Sequence, residues 1–172
     1  MLVTPHVMAG AAIGKLVRRP WIAYPAALAS HLALDVVPHL DSHGLFGAAG
    51  GHLTPGEAAA AALDTTAAIA LVLWTTRGQP ERRAMLFAGF LGAVIDLLDN
   101  VPPWNAWLRA LPGAAAASDF HHGIQHNVAP SRWVLGFGTQ AAVVGVALAV
   151  ICRPGNGKRG RAEGSAGRSV GA

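Results

Sequence analysis

Residues 21–40 read WIAYPAALASHLALDVVPHL, an apolar run broken by His31, Asp35 and His39 at i, i+4 and i+8. Residues four apart share a helix face, so His31 and Asp35 are expected to project together. Pro38 is expected to stop the helix near Val37, leaving His39 just beyond it. Polar groups at membrane depth are costly unless paired, hydrated or metal-bound. Two readings of the pair stay open: a metal site, or a His–Asp hydrogen bond that packs two helices.

The run is representative of a chain of 172 residues that is 52% hydrophobic and only 13% charged, with mean hydropathy +0.39. Soluble domains carry about 25% charged residues. The expected fold is therefore all-α, a multi-pass integral membrane bundle. Five apolar segments can be read: Pro5–Val17, Trp21–Val37, Pro55–Thr76, Pro80–Val101 and Ser131–Cys152. Thr4 with Pro5 reads as the start of the first segment, and Thr54 with Glu57 as a capping box for the third. The first segment reaches only ~20 Å, so it is either a short span shielded by neighbours or a half-inserted helix. Trp104, Trp107, Leu108 and Leu111 after Pro102-Pro103 predict a short amphipathic helix at the interface. Residues 1–152 form the membrane domain in this reading, and 153–172 a disordered basic tail.

The basic residues set an orientation. Lys15, Arg18 and Arg19 separate the first two segments, Arg77, Arg82 and Arg83 the third and fourth, and Arg153, Lys158, Arg159, Arg161 and Arg168 follow the fifth. Five crossings of an inner (plasma) membrane put all three groups in the cytoplasm, with the tail. The net charge of +4 thus reflects topology, and nucleic acid is not an expected partner; membrane lipid is. The outer side keeps His6, His43, His52, His121, His122 and His126, with His39 at its boundary. No positive charge precedes the first apolar stretch, which does not read as a signal peptide. The single cysteine, Cys152, excludes an internal disulfide or a cysteine metal cage.

Three clusters could carry chemistry. His31 and Asp35 are the first. Asp96 and Asp99, three apart in IDLLDN, are the second; close carboxylates repel unless a cation or a shared proton lies between them. The third is FHHGIQHN, residues 120–127, where His122 and His126 share a face if the segment is helical. A solvated polar loop is the alternative there, and Gly123 after His122 excludes a zincin mechanism. His6 is at similar depth, whereas Asp64, beside Thr65 and Thr66, reads as a structural interhelix hydrogen bond. The candidate metal ligands are therefore His6, His31, Asp35, Asp96, Asp99, His121, His122 and His126. They suffice for one three-ligand zinc site with a position left for water, or for two.

These residues carry a resemblance. TPHVMAGAAIG, HLALDVVPHLD and FHHGIQHN resemble small bacterial inner-membrane metal-dependent hydrolases, the LexA-binding inner-membrane hydrolase group. His121, Gly123 and His126 match that family's His-Arg-Gly-x-Thr-His-Ser string, while His122, Gln125 and Asn127 replace its Arg, Thr and Ser. His31 and Asp35 match its His-x-x-x-Asp segment, which is also similar to zinc-dependent phospholipase C. Residues 95–102 match the acidic Pro-Asp-x-Asp motif only loosely. The resemblance implies a metal-dependent hydrolase; the His/Asp ligand types point to zinc, and a membrane-embedded site with interfacial Trp104 and Trp107 to a phosphoester or ester in a lipid-like substrate at the outer face. A metal-stabilised scaffold without activity, and a transporter or proton relay through His31, Asp35, Asp64 and Asp96, are the alternatives.

Overall fold

The computed structural model describes residues 1–47, 54–102 and 104–154. His52 and the tail beyond residue 154 lie outside them. The described residues form α1 (Val3–Leu16), α2 (Pro20–Asp35), α3 (Ser42–Phe46), α4 (Pro55–Thr75), α5 (Arg82–Asn100), α6 (Trp104–Arg109), α7 (Ala114–Ile124) and α8 (Trp133–Ile151). Among the described residues the only β pairing is an isolated bridge between His39 and Asn127. The chain is all-α.

The short first helix is the centre of the fold. It packs against α2, α4, α5 and α8, which wrap it on all sides. Small residues permit this approach. A Cβ on Gly10 would stand 2.4 Å from the carbonyl oxygen of Ala88, and one on Gly92 would stand 2.4 Å from that of His6. Gly10-x-x-x-Gly14 is the spacing that lets two helix backbones meet closely. The contact draws His6 down onto the C-terminal half of α5. Gly92→Ala is therefore expected to destabilise the protein by about 1–3 kcal/mol through overpacking against backbone. Gly145→Ala, where an added Cβ meets nothing within 4 Å, is the control and should be neutral or stabilising through helix propensity. Thermal unfolding in detergent checks both, and equal midpoints would refute the close seam.

The start of α1 differs from the expectation. Thr4 does not cap it. Asp64 reaches across from α4, accepting from the Val3 amide at 2.5 Å and from Thr4 Oγ1 at 2.6 Å. A carboxylate near a helix N-terminus also meets the positive end of its dipole. The interhelix role read for Asp64 is thus found. Thr54 caps α4 as expected, accepting from the Glu57 amide at 3.1 Å, but the Glu57 carboxylate pairs with His43 at 3.0 Å. The capping box is half formed.

Two helical stretches, Pro55–Thr75 and Pro130–Ile151, of 21 and 22 residues, are long and apolar enough to cross a membrane. Leu63, Ile69 and Trp74 on the first and Trp133, Val134 and Val146 on the second are more than half exposed, an outward apolar surface suited to lipid. The other three apolar segments form helices that do not meet this measure. α1 and α2, with 14 and 16 residues, fall short of a ~30 Å core, and α5 carries Arg82, Arg83, Asp96 and Asp99. The short helix over Trp104–Arg109 lies where it was predicted.

The ends of the bundle differ in chemistry. At one end Lys15 donates to the carbonyls of Ile151 at 2.5 Å and Arg153 at 2.7 Å, closing the C-terminus of α8. At the other end lie His6, Asp35, Asp96 and Asp99, at the N-terminus of α1 and the C-termini of α2 and α5.

Candidate metal centre

Helix α2 ends at Asp35, earlier than Val37, because the residue before Pro38 is steered away from helical geometry. The freed backbone is laced to the segment after α7. The Asp35 carbonyl accepts from the His126 amide at 2.8 Å, the His39 amide donates to the His126 carbonyl at 3.0 Å, and the Val128 amide donates to the His39 carbonyl at 2.8 Å. This lacing sets α7 over the C-terminal ends of α2 and α5. His121 then faces inward.

Asp35 stands at the middle of the cluster. Its Oδ2 lies 3.1 Å from His121 Nε2 and 3.2 Å from His31 Nε2, and its Oδ1 lies 3.2 Å from His6 Nε2. The Met1 amine also donates to Oδ1, at 2.9 Å. Asp96 Oδ1 is 3.6 Å from His31 Nε2 and 3.7 Å from His121 Nε2. His31 Nε2 and His121 Nε2 are themselves 3.1 Å apart. His6, His31 and Asp35 are fully buried.

The hydrogen bonds on the far sides of the rings fix what faces the centre. His31 Nδ1 lies 2.8 Å from the Gly92 carbonyl, which can only accept, so Nδ1 carries the hydrogen. His121 Nδ1 lies 2.8 Å from Asp99 Oδ2 and donates to it in the same way. In the neutral rings both Nε2 atoms are then acceptors, and that of His121 also lies 3.3 Å from the Gln125 amide nitrogen, a weak donor to it. Two such nitrogens and a carboxylate oxygen, all near 3.1–3.2 Å, point lone pairs at one another. That is repulsive unless a cation or a proton lies among them. A carbonyl or carboxylate behind each ring is the usual support of a metal-bound imidazole. His6 adds a second sign: both its nitrogens are buried without a hydrogen-bond partner, the Asp35 contact being out of alignment.

The proposed ligands separate into those gathered and one set apart. His6, His31, Asp35, Asp96 and His121 converge, and Asp99 stands behind His121. His122 is near the surface, its Nδ1 3.6 Å from Asp99. Geometrically, three groups could hold an ion: His6, His31 and Asp96; His31, Asp35 and His121; and Asp99, His121 and His122. His126 belongs to none of them and is exposed, because α7 stops at Ile124 and Gln125 turns to extended backbone. It therefore shares no helix face with His122. Sequence reasoning passed over Gly92 and Ser118. Ser118 hydrogen-bonds Asp99 and receives a bond from Arg109, which also grips Asp119 at 2.7 Å. Its signal was its place three residues before His121.

Burial disfavours charge on His121, but its hydrogen bonds to Asp35 and Asp99 prevail and raise its pKa above the ordinary 6.5. Burial lowers that of His39. A raised folded-state pKa contributes stability that is fully present below about pH 6.5 and lost as pH rises through the raised value. His121 thus contributes a loss of stability as pH rises through neutral, opposed by His39, whose lowered pKa contributes a gain as pH rises toward 6.5. A metal needs the imidazole deprotonated, so stabilisation by added zinc should grow over the same interval. Thermal unfolding against pH, with and without zinc, measures both slopes. Parallel slopes would remove His121 from the centre.

No protein-family model matches this chain, and no match was found among curated proteins or solved structures. The buried His/Asp cluster is what the fold offers as a functional site.

Proposed function

We propose that the chain is a multi-pass membrane protein holding zinc at the outer end of its bundle, where it hydrolyses a phosphoester or ester of a lipid-like substrate. The observation that carries the metal is the convergence of the acceptor atoms His31 Nε2, His121 Nε2 and Asp35 Oδ2 around one buried point. His31, His121 and Asp35 would hold the ion, with His6 and Asp96 adjoining. A zinc bound there supplies Lewis acidity and activates water. Gly92 and Asp99 hold the two rings in orientation. The core beneath, with Met8, Ala11, Ala12 and Met85, keeps water from that side. Exposed His122 and Asn100 line the outer approach, and Trp104 and Trp107 offer an interfacial contact for acyl chains. Metal analysis of the detergent-solubilised protein tests the ion, and turnover of phospholipids tests the reaction.

Full burial of His6, His31 and Asp35 favours a second reading, in which the metal only ties α1, α2, α5 and α7 together. Absence of turnover by the metal-loaded protein would select it. The proton relay has less support, since Asp64 is engaged at the start of α1 and the core below His6 is apolar.

In the proposed topology all five long helices cross the bilayer, with α1 shielded by α2, α4, α5 and α8. The His/Asp end faces outward and the end with Lys15, Arg82 and Arg153 faces the cytoplasm. Single cysteines at positions 43 and 82 in a Cys152→Ser background should react with an impermeant thiol reagent on intact cells at 43 only. The reverse pattern would invert the topology.

A further inference from the structure

The two central carboxylates divide their oxygens between two sets of imidazoles. Asp35 turns Oδ2 to His31 and His121, at 3.2 and 3.1 Å, and Oδ1 to His6, at 3.2 Å. Asp96 repeats the division more loosely: Oδ1 lies 3.6 and 3.7 Å from His31 and His121, and Oδ2 lies 4.0 Å from His6. A single ion between His31 and His121 would use one oxygen of each carboxylate. It would leave the fully buried His6, with no hydrogen-bond partner on either nitrogen, facing the two remaining oxygens. A buried imidazole with neither nitrogen in an aligned hydrogen bond, 3.2 Å from one carboxylate and 4.0 Å from another, is an expensive arrangement. We infer that the centre is built for two divalent cations bridged by Asp35 and Asp96, one on His31 and His121 and the other on His6. The inference rests on the metal reading above and extends it.

The competing place for a second ion is the group of Asp99, His121 and His122. There the Asp99–His121 Nδ1 separation of 2.8 Å is a hydrogen-bond length, and an ion on Nδ1 would have to expel the hydrogen that orients the ring. His6 has no such competitor on either nitrogen. The Met1 amine at Asp35 Oδ1, 2.9 Å away, marks the His6 side as a place that already attracts positive charge. A cation there competes with that amine, so this position should fill after the His31–His121 position. Bridged pairs in two-metal hydrolytic sites stand about 3.5–4 Å apart, close enough for paired spins to couple.

The full chain in detergent, stripped with chelator, is titrated with zinc and, separately, with manganese. Elemental analysis should give two cations per chain in the wild type, one in His6→Ala and two in His122→Ala. The manganese-loaded wild type should show an exchange-coupled electron paramagnetic resonance spectrum, and His6→Ala that of isolated ions. His6→Gln, closer in volume, serves should the alanine variant fail to elute as a single folded species. One cation per chain in the wild type overturns the pair and leaves the metal reading standing; none overturns both. Two cations without coupling, or loss of one in His122→Ala and none in His6→Ala, moves the second ion to the Asp99 group and overturns the assignment.

Discussion

Replacing Asp35, which meets both sets of imidazoles, with alanine is expected to bring bound zinc per chain, read by elemental analysis, down to near background, and replacing His31 to remove the ion it shares with His121. The two side chains supply an imidazole nitrogen and a carboxylate oxygen 3.2 Å apart in a fully buried place, closer to each other than Asp96 is to either imidazole. Losing a supporting partner of a ligand typically costs 10–100-fold in metal affinity, and losing the ligand itself costs more. Asp99→Asn, which weakens the acceptor behind His121, should fall in the smaller class. His126→Ala should retain its zinc, since His126 lies outside the converging groups. The protein should also lose its thermal stabilisation by zinc in the two ligand variants. A ligand present at 1,000 times its Kd is worth about 4 kcal/mol to the folded state, a large shift for a small protein. Unchanged zinc content in both His31→Ala and Asp35→Ala, in protein that elutes as one folded species, would end the ligand role.

Only two of the helices are long and apolar enough to cross a membrane, but each of the five apolar runs, read as five membrane crossings, forms a helix within a few residues of its expected bounds. That much follows from hydropathy and the stop signals at Pro38 and Pro102. The centrality of α1 did not follow from its length. A run of 14 residues looked marginal as a span, yet it is the helix the others wrap. The reason lies in the Gly10-x-x-x-Gly14 spacing and in Gly92, which set backbone distance rather than hydrophobicity and so leave no mark on a hydropathy reading.

The site divides in the same way. His31 and Asp35 meet because they lie on one helix, a fact of periodicity. His6, Asp96 and His121 join them only through the crossing of α1, α5 and α7, and no spacing within one segment encodes a crossing. The pairing of His122 with His126 required a helix continuing past Ile124; Gln125 ends it, and the backbone of residue 126 is used for lacing instead. That lacing, together with the end of α7, decides that His121 rather than His122 reaches Asp35. The two readings left open for the His31–Asp35 pair also meet here. The pair does tie helices together, but through converging acceptors that need a cation or a proton among them.

Hydrolysis by the zinc-loaded protein should disappear completely on chelation and return when zinc is restored, and it should rise with pH through the neutral range. Two ionisations set that rise in the same direction. His121 must give up its proton before a metal can bind Nε2, and its raised pKa places that loss above the ordinary 6.5. Water activated by zinc in a His/carboxylate setting loses its proton near pH ~7. With saturating zinc the first step is satisfied at lower pH, so the rising limb should move to lower pH as zinc is raised and then stop moving. That limiting position reports the activated water. The assay offers a panel of phospholipids and lipid-linked phosphates to purified protein in mixed micelles. Asp96→Ala, with its carboxylate 3.6 Å from His31 and 3.7 Å from His121, should abolish turnover. His126→Ala should keep turnover within a few-fold of the wild type, on the order of the effect of a surface change. If zinc-loaded wild type hydrolyses nothing on the panel that Asp96→Ala fails to hydrolyse, hydrolysis of these substrates is refuted. The fully buried ligands would then mark a metal whose work is to bind α7 onto the ends of α2 and α5.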